Sequence, residues 1–167
     1  MSLDGFIATK DDNLDWMDVV NKEGEDYGYA EFTANVDTYI IGRKTYDWVI
    51  DKVGELPQAK QFDCYILTRS KNERRDGVTF YTGSLPELIR SIKAKQGKDI
   101  YCDGGGEIVK LFMENDLIDT FIISIIPVIL GDGKRLFQGG IKGFSVSAEP
   151  PKYFDSGLVQ LKYERRG

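Results

Sequence analysis

Gly104-Gly105-Gly106 stand between an apolar stretch, 99–102, and a segment of helical character, 107–115. Glycine loses more conformational freedom on folding than any other residue, so helices seldom begin on three of them. Such a run suits a strand that turns sharply into a helix with its backbone open to something packed against it. The same order recurs earlier: 38–41 reads as a strand, Gly42 closes it, and 43–52 reads as a helix. Repeated strand–helix units fold as α/β domains around a mostly parallel sheet.

The remaining segments extend this pattern. Strands are expected at 6–9, 62–68 and 78–81, and a helix at 25–35, with Trp16 in the loop 13–18. Ser84 and Glu87 have capping-box spacing. Leu85, Leu88, Ile89 and Ile92 then lay one apolar stripe along a helix, with Gly97 as its stop. A long apolar strand, 117–126, ends at Pro127. After the glycine-rich stretch 131–140, the strand-like segments 144–149 and 158–164 follow one another, which predicts an antiparallel hairpin at the edge of the sheet. With 167 residues the chain has the length of a single domain, 1–167.

The chain has no histidine. That excludes a Ser-His-Asp triad, a Cys-His dyad and His-ligated zinc or iron. Cys64 and Cys102 lie in separate apolar stretches, with no C-x-x-C pair, so they read as buried thiols in a reducing compartment and no metal site is expected. A net charge of −5 argues against a dedicated nucleic-acid binder. No apolar run approaches the roughly 18 residues of a membrane span, and no secretory signal is visible. A cytoplasmic protein is expected. Chemistry in such a chain falls to carboxylates, Lys, Tyr, Ser or a borrowed cofactor, and hydride transfer from a nicotinamide fits that restriction best.

Four segments carry chemistry, each with a plainer reading beside it. Gly42-Arg43-Lys44-Thr45 opens a helix, where unpaired N–H groups and the helix dipole favour an anion; it also reads as a strand-end glycine followed by solvated basic residues. Thr68-Arg69-Ser70, with Lys71, Arg74 and Arg75 beyond, offers hydroxyls and a guanidinium fork to a phosphate such as the 2′-phosphate of NADP, or forms a solvated basic loop. Gly104-Gly105-Gly106-Glu107 allows a diphosphate to sit on the backbone, although Val109 replaces the last glycine of the G-x-G-x-x-G fingerprint. Asp4-Gly5 in SLDGFIA, residues 2–8, is a turn signal.

Taken in order, SLDGFIA (2–8), IIGRKTYD (40–47), LTRS (67–70), CDGGGEIV (102–109) and IPVILGDGKRLF (126–137) resemble the dihydrofolate reductase-like superfamily, and within it the bacterial RibD C-terminal-domain family of riboflavin-biosynthesis reductases. The resemblance spans essentially the whole chain. It implies a three-layer α/β/α dihydrofolate reductase-like fold, with a mostly parallel central sheet and a C-terminal antiparallel hairpin, binding NADPH across the carboxyl ends of its strands. By position, Arg43, Lys44 and Thr45, after Gly42, contact phosphates on the adenosine side. Thr68, Arg69 and Ser70 hold the adenine ribose and its 2′-phosphate, and Gly104, Gly105, Gly106 and Glu107 hold the diphosphate. Ile7 and Ala8 flank the nicotinamide, with Trp16 on a mobile loop over it. On the substrate side the resemblance points to Asp26, on the helix before the GR-x-T strand, as the catalytic carboxylate that orients or protonates a pterin-like ring. Glu25 and Glu31 are its rivals, and a plain acidic residue in the helix's first turn is the other reading. The resemblance also points to Ser124 as a hydroxyl against the substrate ring, beside the reading of a buried serine bonded to nearby backbone. The family's strand ahead of SLDG is expected to be missing or truncated.

The implied activity is NADPH-dependent reduction of a small heterocycle, resembling 5-amino-6-(5-phosphoribosylamino)uracil reductase. The alternatives are a dihydrofolate or dihydropterin reductase and a non-catalytic NADPH-binding module. The resemblance also implies a homodimer.

Overall fold

The structure, a computed structural model, describes residues 1–70, 75 and 77–166. In chain order the elements are strand β1 (Phe6–Ala8), a 3-10 turn at Asp15–Val20, helix α1 (Tyr29–Thr33), β2 (Val36–Gly42), α2 (Arg43–Val53), a 3-10 turn at Pro57–Lys60, β3 (Asp63–Leu67), β4 (Val78–Tyr81), α3 (Leu85–Lys93), β5 (Asp99–Gly104), α4 (Gly106–Glu114), β6 (Thr120–Ile125), β7 (Lys134–Arg135), β8 (Val146–Ala148), β9 (Lys152–Tyr153) and β10 (Val159–Arg165). They divide between two compact units, one formed by Met1–Tyr27 with Phe112–Gly167 and the other by Gly28–Leu111.

The Gly28–Leu111 unit holds a parallel sheet in the order β4-β3-β2-β5. β2 lies inside it, paired with β3 from Thr38↔Asp63 to Gly42↔Leu67 and with β5 from Val36↔Asp99 to Ile41↔Gly104. Ile40, Ile41 and Ile66 have no exposed surface, the continuous apolar pattern expected of a parallel strand covered on both faces. Burying a side chain of that size is worth about 1.5–3 kcal/mol. Tyr39, Tyr46, Leu56, Phe62 and Cys64 complete the cluster, and Val49 and Ile50 of α2 pack on it. α3 buries Leu85, Leu88, Ile89 and Ile92, the stripe its spacing predicts.

The other unit is antiparallel. β10 pairs with β6 over six residues, from Val159↔Ile125 to Glu164↔Thr120, and also with β8 and β9; β1 pairs with β7. The expected hairpin is thus part of a four-stranded antiparallel group.

Three local expectations need correction. The helix predicted over 25–35 is only α1, Tyr29–Thr33, because Gly24, Tyr27 and Gly28 take positive φ angles of 78°, 53° and 79°, which no helix interior accommodates. Ser84 is the N-cap of α3, but its side chain makes no cap hydrogen bond, so the capping box is not formed. Beyond α3 the left-handed residue is Gln96, φ 53°, rather than Gly97. Gly97 is needed for space: a Cβ there would lie 2.2 Å from Asp37 Oδ2.

Candidate functional site

The three phosphate-suited segments open at the carboxyl ends of adjacent strands. Gly42 ends β2, Thr68 follows β3, and Gly104 ends β5, in a sheet where β3, β2 and β5 are neighbours. The starts of α2 and α4 come close together. A Cβ on Gly42 would stand 2.7 Å from Ile108 Cγ1, and one on Gly105 would stand 3.4 Å from Thr45 Oγ1. Gly104 has φ +96°, a conformation L side chains rarely adopt. Gly42 is therefore required by the Ile108 side chain packed against it and Gly104 by its backbone angle, and both are buried. Gly42, the N-cap of α2, has no side chain with which to cap its first turn.

The charged residues around this cradle are not equivalent. Arg43 Nε donates to both oxygens of Asp47, at 2.6 and 2.8 Å, and its guanidinium lies over the Phe80 ring at 5.4 Å. Phe80 meets Tyr46 edge to face, and Arg75 covers Tyr46 at 6.0 Å. Lys44 pairs with Glu107 at 3.2 Å. The Glu107 carboxylate is acceptor-only and would repel a diphosphate; its backbone N–H is the group that suits one. Thr68 and Ser70 hydroxyls lie 3.3 Å apart, and Arg69 between them is exposed. Lys71 and Arg74 lie outside the described residues.

One residue that sequence reasoning passed over stands at the same edge. Asp103, the last side chain before the glycine run, accepts the Tyr39 hydroxyl on one carboxylate oxygen and the Tyr101 hydroxyl on the other. Asp103 is exposed to solvent, yet protein crowds its carboxyl closely enough that desolvation raises its pKa, against the pull of the two hydroxyls. Burial, reinforced by the Asp103 charge, pushes both tyrosines upward, so they remain protonated donors. Cys102 is pushed up to about 12 by burial and is an inert thiol. The signal was available in strand alternation, since Tyr101 and Asp103 are two apart and Tyr101 is in register with Tyr39.

In the other unit, Ile7 and Ala8 lie on β1, with Ala8 buried opposite Lys134. Trp16 sits in the 3-10 turn, packed on Val20, Ile126 and Leu158. Its Nε1 is buried with no hydrogen-bond partner among the described residues. Ser124 Oγ accepts from Gln160 Nε2 at 3.3 Å, and the same nitrogen donates to the Tyr27 carbonyl at 3.2 Å. Asp26 is exposed in the turn ahead of α1, not in the first turn of a helix. Glu25 binds the Tyr27 N–H, and Glu31 falls on α1.

Strand-to-helix turns bearing glycine at the carboxyl ends of neighbouring parallel strands define an α/β domain. The RibD C-terminal domain family matches residues 1–147, and the chain belongs to it. Over 166 residues it is 39% identical to the uncharacterized protein YwjB of Bacillus subtilis (strain 168), covering 99% of this chain and 94% of that one. The crystal structure of a putative riboflavin biosynthesis protein from Shewanella sp. PV-4 superposes with a TM-score of 0.90 at 30% identity, over 100% of this chain and 96% of the other. A diaminohydroxyphosphoribosylaminopyrimidine deaminase/5-amino-6-(5-phosphoribosylamino)uracil reductase from Thermotoga maritima shares the fold, with a TM-score of 0.72 at 12% identity, over 99% of this chain and 54% of that one. Among the described residues no helix is long and apolar enough to cross a membrane, and no cluster of three or more Cys, Asp or Glu side chains could hold a metal ion.

Proposed function

We propose that the protein is an NADPH-dependent reductase of a small heterocyclic substrate, of the kind represented by 5-amino-6-(5-phosphoribosylamino)uracil reductase. The observation that carries this reading is the convergence of three glycine- or hydroxyl-bearing turns, after β2, β3 and β5, at the carboxyl edge of one parallel sheet. A diphosphate suits such strand-to-helix turns because backbone N–H groups at a helix start are donors for an anion. Gly104, Gly105 and Gly106 would hold it, with the Glu107 N–H and the Thr45 hydroxyl. Thr68, Ser70 and Arg69 would take the adenine ribose and its 2′-phosphate, with Arg43 and Arg75 adding positive charge on that side. The resemblance would give Ile7, Ala8 and Trp16 to the nicotinamide end. Bound there, the cofactor supplies a hydride. The chain's task is to hold the acceptor, exclude water and furnish a proton. Solvent or an acid such as Asp26 would furnish it.

Absorbance at 340 nm, followed with aminopyrimidine ribose phosphates and dihydropterins as substrates, tests the activity. Arg69→Ala should weaken NADPH by about tenfold, the loss of one charge-assisted contact, and leave NADH unchanged. An unaltered preference for NADPH would remove Arg69 from the 2′-phosphate. Binding of NADPH without turnover of any substrate would favour the non-catalytic module instead.

A further inference from the structure

The unit formed by Met1–Tyr27 with Phe112–Gly167 contains a cavity of about 340 Å3 that neither the cofactor nor the substrate reading uses. Its floor is one face of the antiparallel strands: Leu161 is in register with Ile123, and Tyr163 with Phe121, and residues two apart on a strand share a face. Phe137 and Phe144, from the irregular segment between β7 and β8, and Met113 of α4 complete its walls. Of the lining residues Tyr163 alone bears a hydroxyl, and no lining side chain bears a charge.

The two phenylalanines are held unequally. The Arg165 guanidinium lies over the Phe144 ring at 4.7 Å and is itself paired with Asp116. The next residue, Ser145, accepts the Arg166 N–H at 3.1 Å, which ties that end of the segment to β10. Phe137 is 41% exposed and is followed by Gln138-Gly139-Gly140. A Cβ on Gly139 or Gly143 would meet nothing within 4 Å, and neither takes a positive φ. These two glycines answer no steric need; what they add is backbone freedom, on the stretch of chain that carries Phe137.

The volume lies within the roughly 300–1,000 Å3 of small-molecule sites, at its lower end. A second copy of the chain fits less well. The large apolar lining residues that are exposed are Phe137 and Val146, few against the roughly 800 Å2 per partner of a standard interface. An ion fits less well too, because a charge buried there would find no opposite charge on the wall. Phe144 and Phe137 lie 6.0 and 6.3 Å from Phe121, at interplanar angles of 26° and 58°, so ring faces and ring edges are both offered to a further ring. We propose that this cavity is a binding site for a neutral aromatic molecule of one or two rings, with a polar substituent directed to the Tyr163 hydroxyl, and that Phe137 moves to admit it. The site stands independently of the reductase reading, and no turnover is needed to detect it.

The probes are 2-naphthol, 2-naphthoate and 1-octanol, titrated into the full chain by calorimetry, with stopped-flow fluorescence giving the rates for 2-naphthol. One 2-naphthol per chain is expected, bound at least ~10-fold more tightly than 2-naphthoate, whose charge would be buried unpaired. It should also bind about 2–10-fold more tightly than 1-octanol, which has no ring. Leu161→Phe adds bulk to the floor and should weaken 2-naphthol about 10-fold. Gly139→Ala and Gly143→Ala should each slow its association about 2–5-fold by stiffening the segment. Absence of saturable binding, equal affinity for naphthol and naphthoate, or an unweakened Leu161→Phe overturns the site. Octanol binding as tightly as naphthol overturns the aromatic class. If Leu161→Phe does not fold, the ligand ratios in the native chain decide. Unchanged association in both glycine variants overturns the movement of Phe137. A chain that sediments as a dimer, and binds 2-naphthol only once Phe137→Asp has separated it, gives the cavity to a second copy and overturns the proposal.

Discussion

Single side chains decide how the chain responds to pH, and they act in opposite directions. Asp103 has a raised pKa because burial opposes its charge. Its folded form therefore holds a proton more tightly than the unfolded chain does, and stability falls as pH rises from the ordinary aspartate range through the raised value. Asp4 and Asp37 are held low. The Ser2 hydroxyl comes first for Asp4, aided by the N–H groups of Gly131 and Leu130, and the Lys98 N–H comes first for Asp37, followed by the Thr38 hydroxyl. Their contribution is present above the ordinary range and is lost as pH falls through their depressed values. Thermal melts across pH should therefore show Asp103→Asn with a shallower decline on the side where Asp103 ionises, and Asp4→Asn with a weaker loss toward acid. Ser2 is 0% exposed, donates to Asp4 at 2.7 Å and accepts the Phe6 N–H at 2.9 Å. Ser2→Ala strands that N–H and should cost about 1–3 kcal/mol, seen as a lower urea midpoint with an unchanged slope.

Among the elements, α2 and α4 show how the site depends on their closeness. Gly42→Ala would put a methyl 2.7 Å from Ile108 Cγ1, so Ile108 or the start of α4 must move. The expected destabilisation is about 1–3 kcal/mol, the range for overpacking, with a larger relative loss of NADPH affinity than of folding stability. Melts and cofactor titration on the same variant check it; full affinity with a displaced helix would count against a diphosphate in that cradle. α1 carries the opposite lesson. Its stretch of chain looks helical from residue 25 by residue type, but positive φ at Gly24, Tyr27 and Gly28 makes that approach a series of turns, and Asp26 sits on them rather than on a helix.

For the whole molecule, the cofactor is the most direct probe. At 100 times its Kd, NADPH should add about 2.7 kcal/mol, raising Tm by about 5–10 °C in a domain of this size. NADH should give a smaller rise, and the absence of a shift with either would remove the nucleotide from every reading above. The homodimer implied by the family is read by sedimentation velocity as one species of twice the chain mass; a monomer at micromolar concentration would end it.

The sequence alone was enough to establish the α/β class, the order of strands and helices along most of the chain, and the three glycine- or hydroxyl-bearing strand ends, because these follow from local periodicity and from backbone needs that only glycine meets. The stripe on α3 and the continuous apolar run of β2 were legible for the same reason. The pairing of β10 with β6 was not, since register between distant strands leaves little local trace. Neither was the place of Asp103 between the Tyr39 and Tyr101 hydroxyls. An aspartate's chemistry is set by what surrounds it, and it took the folding of β2 beside β5 to bring two tyrosine hydroxyls onto one carboxylate and crowd it until its charge became costly.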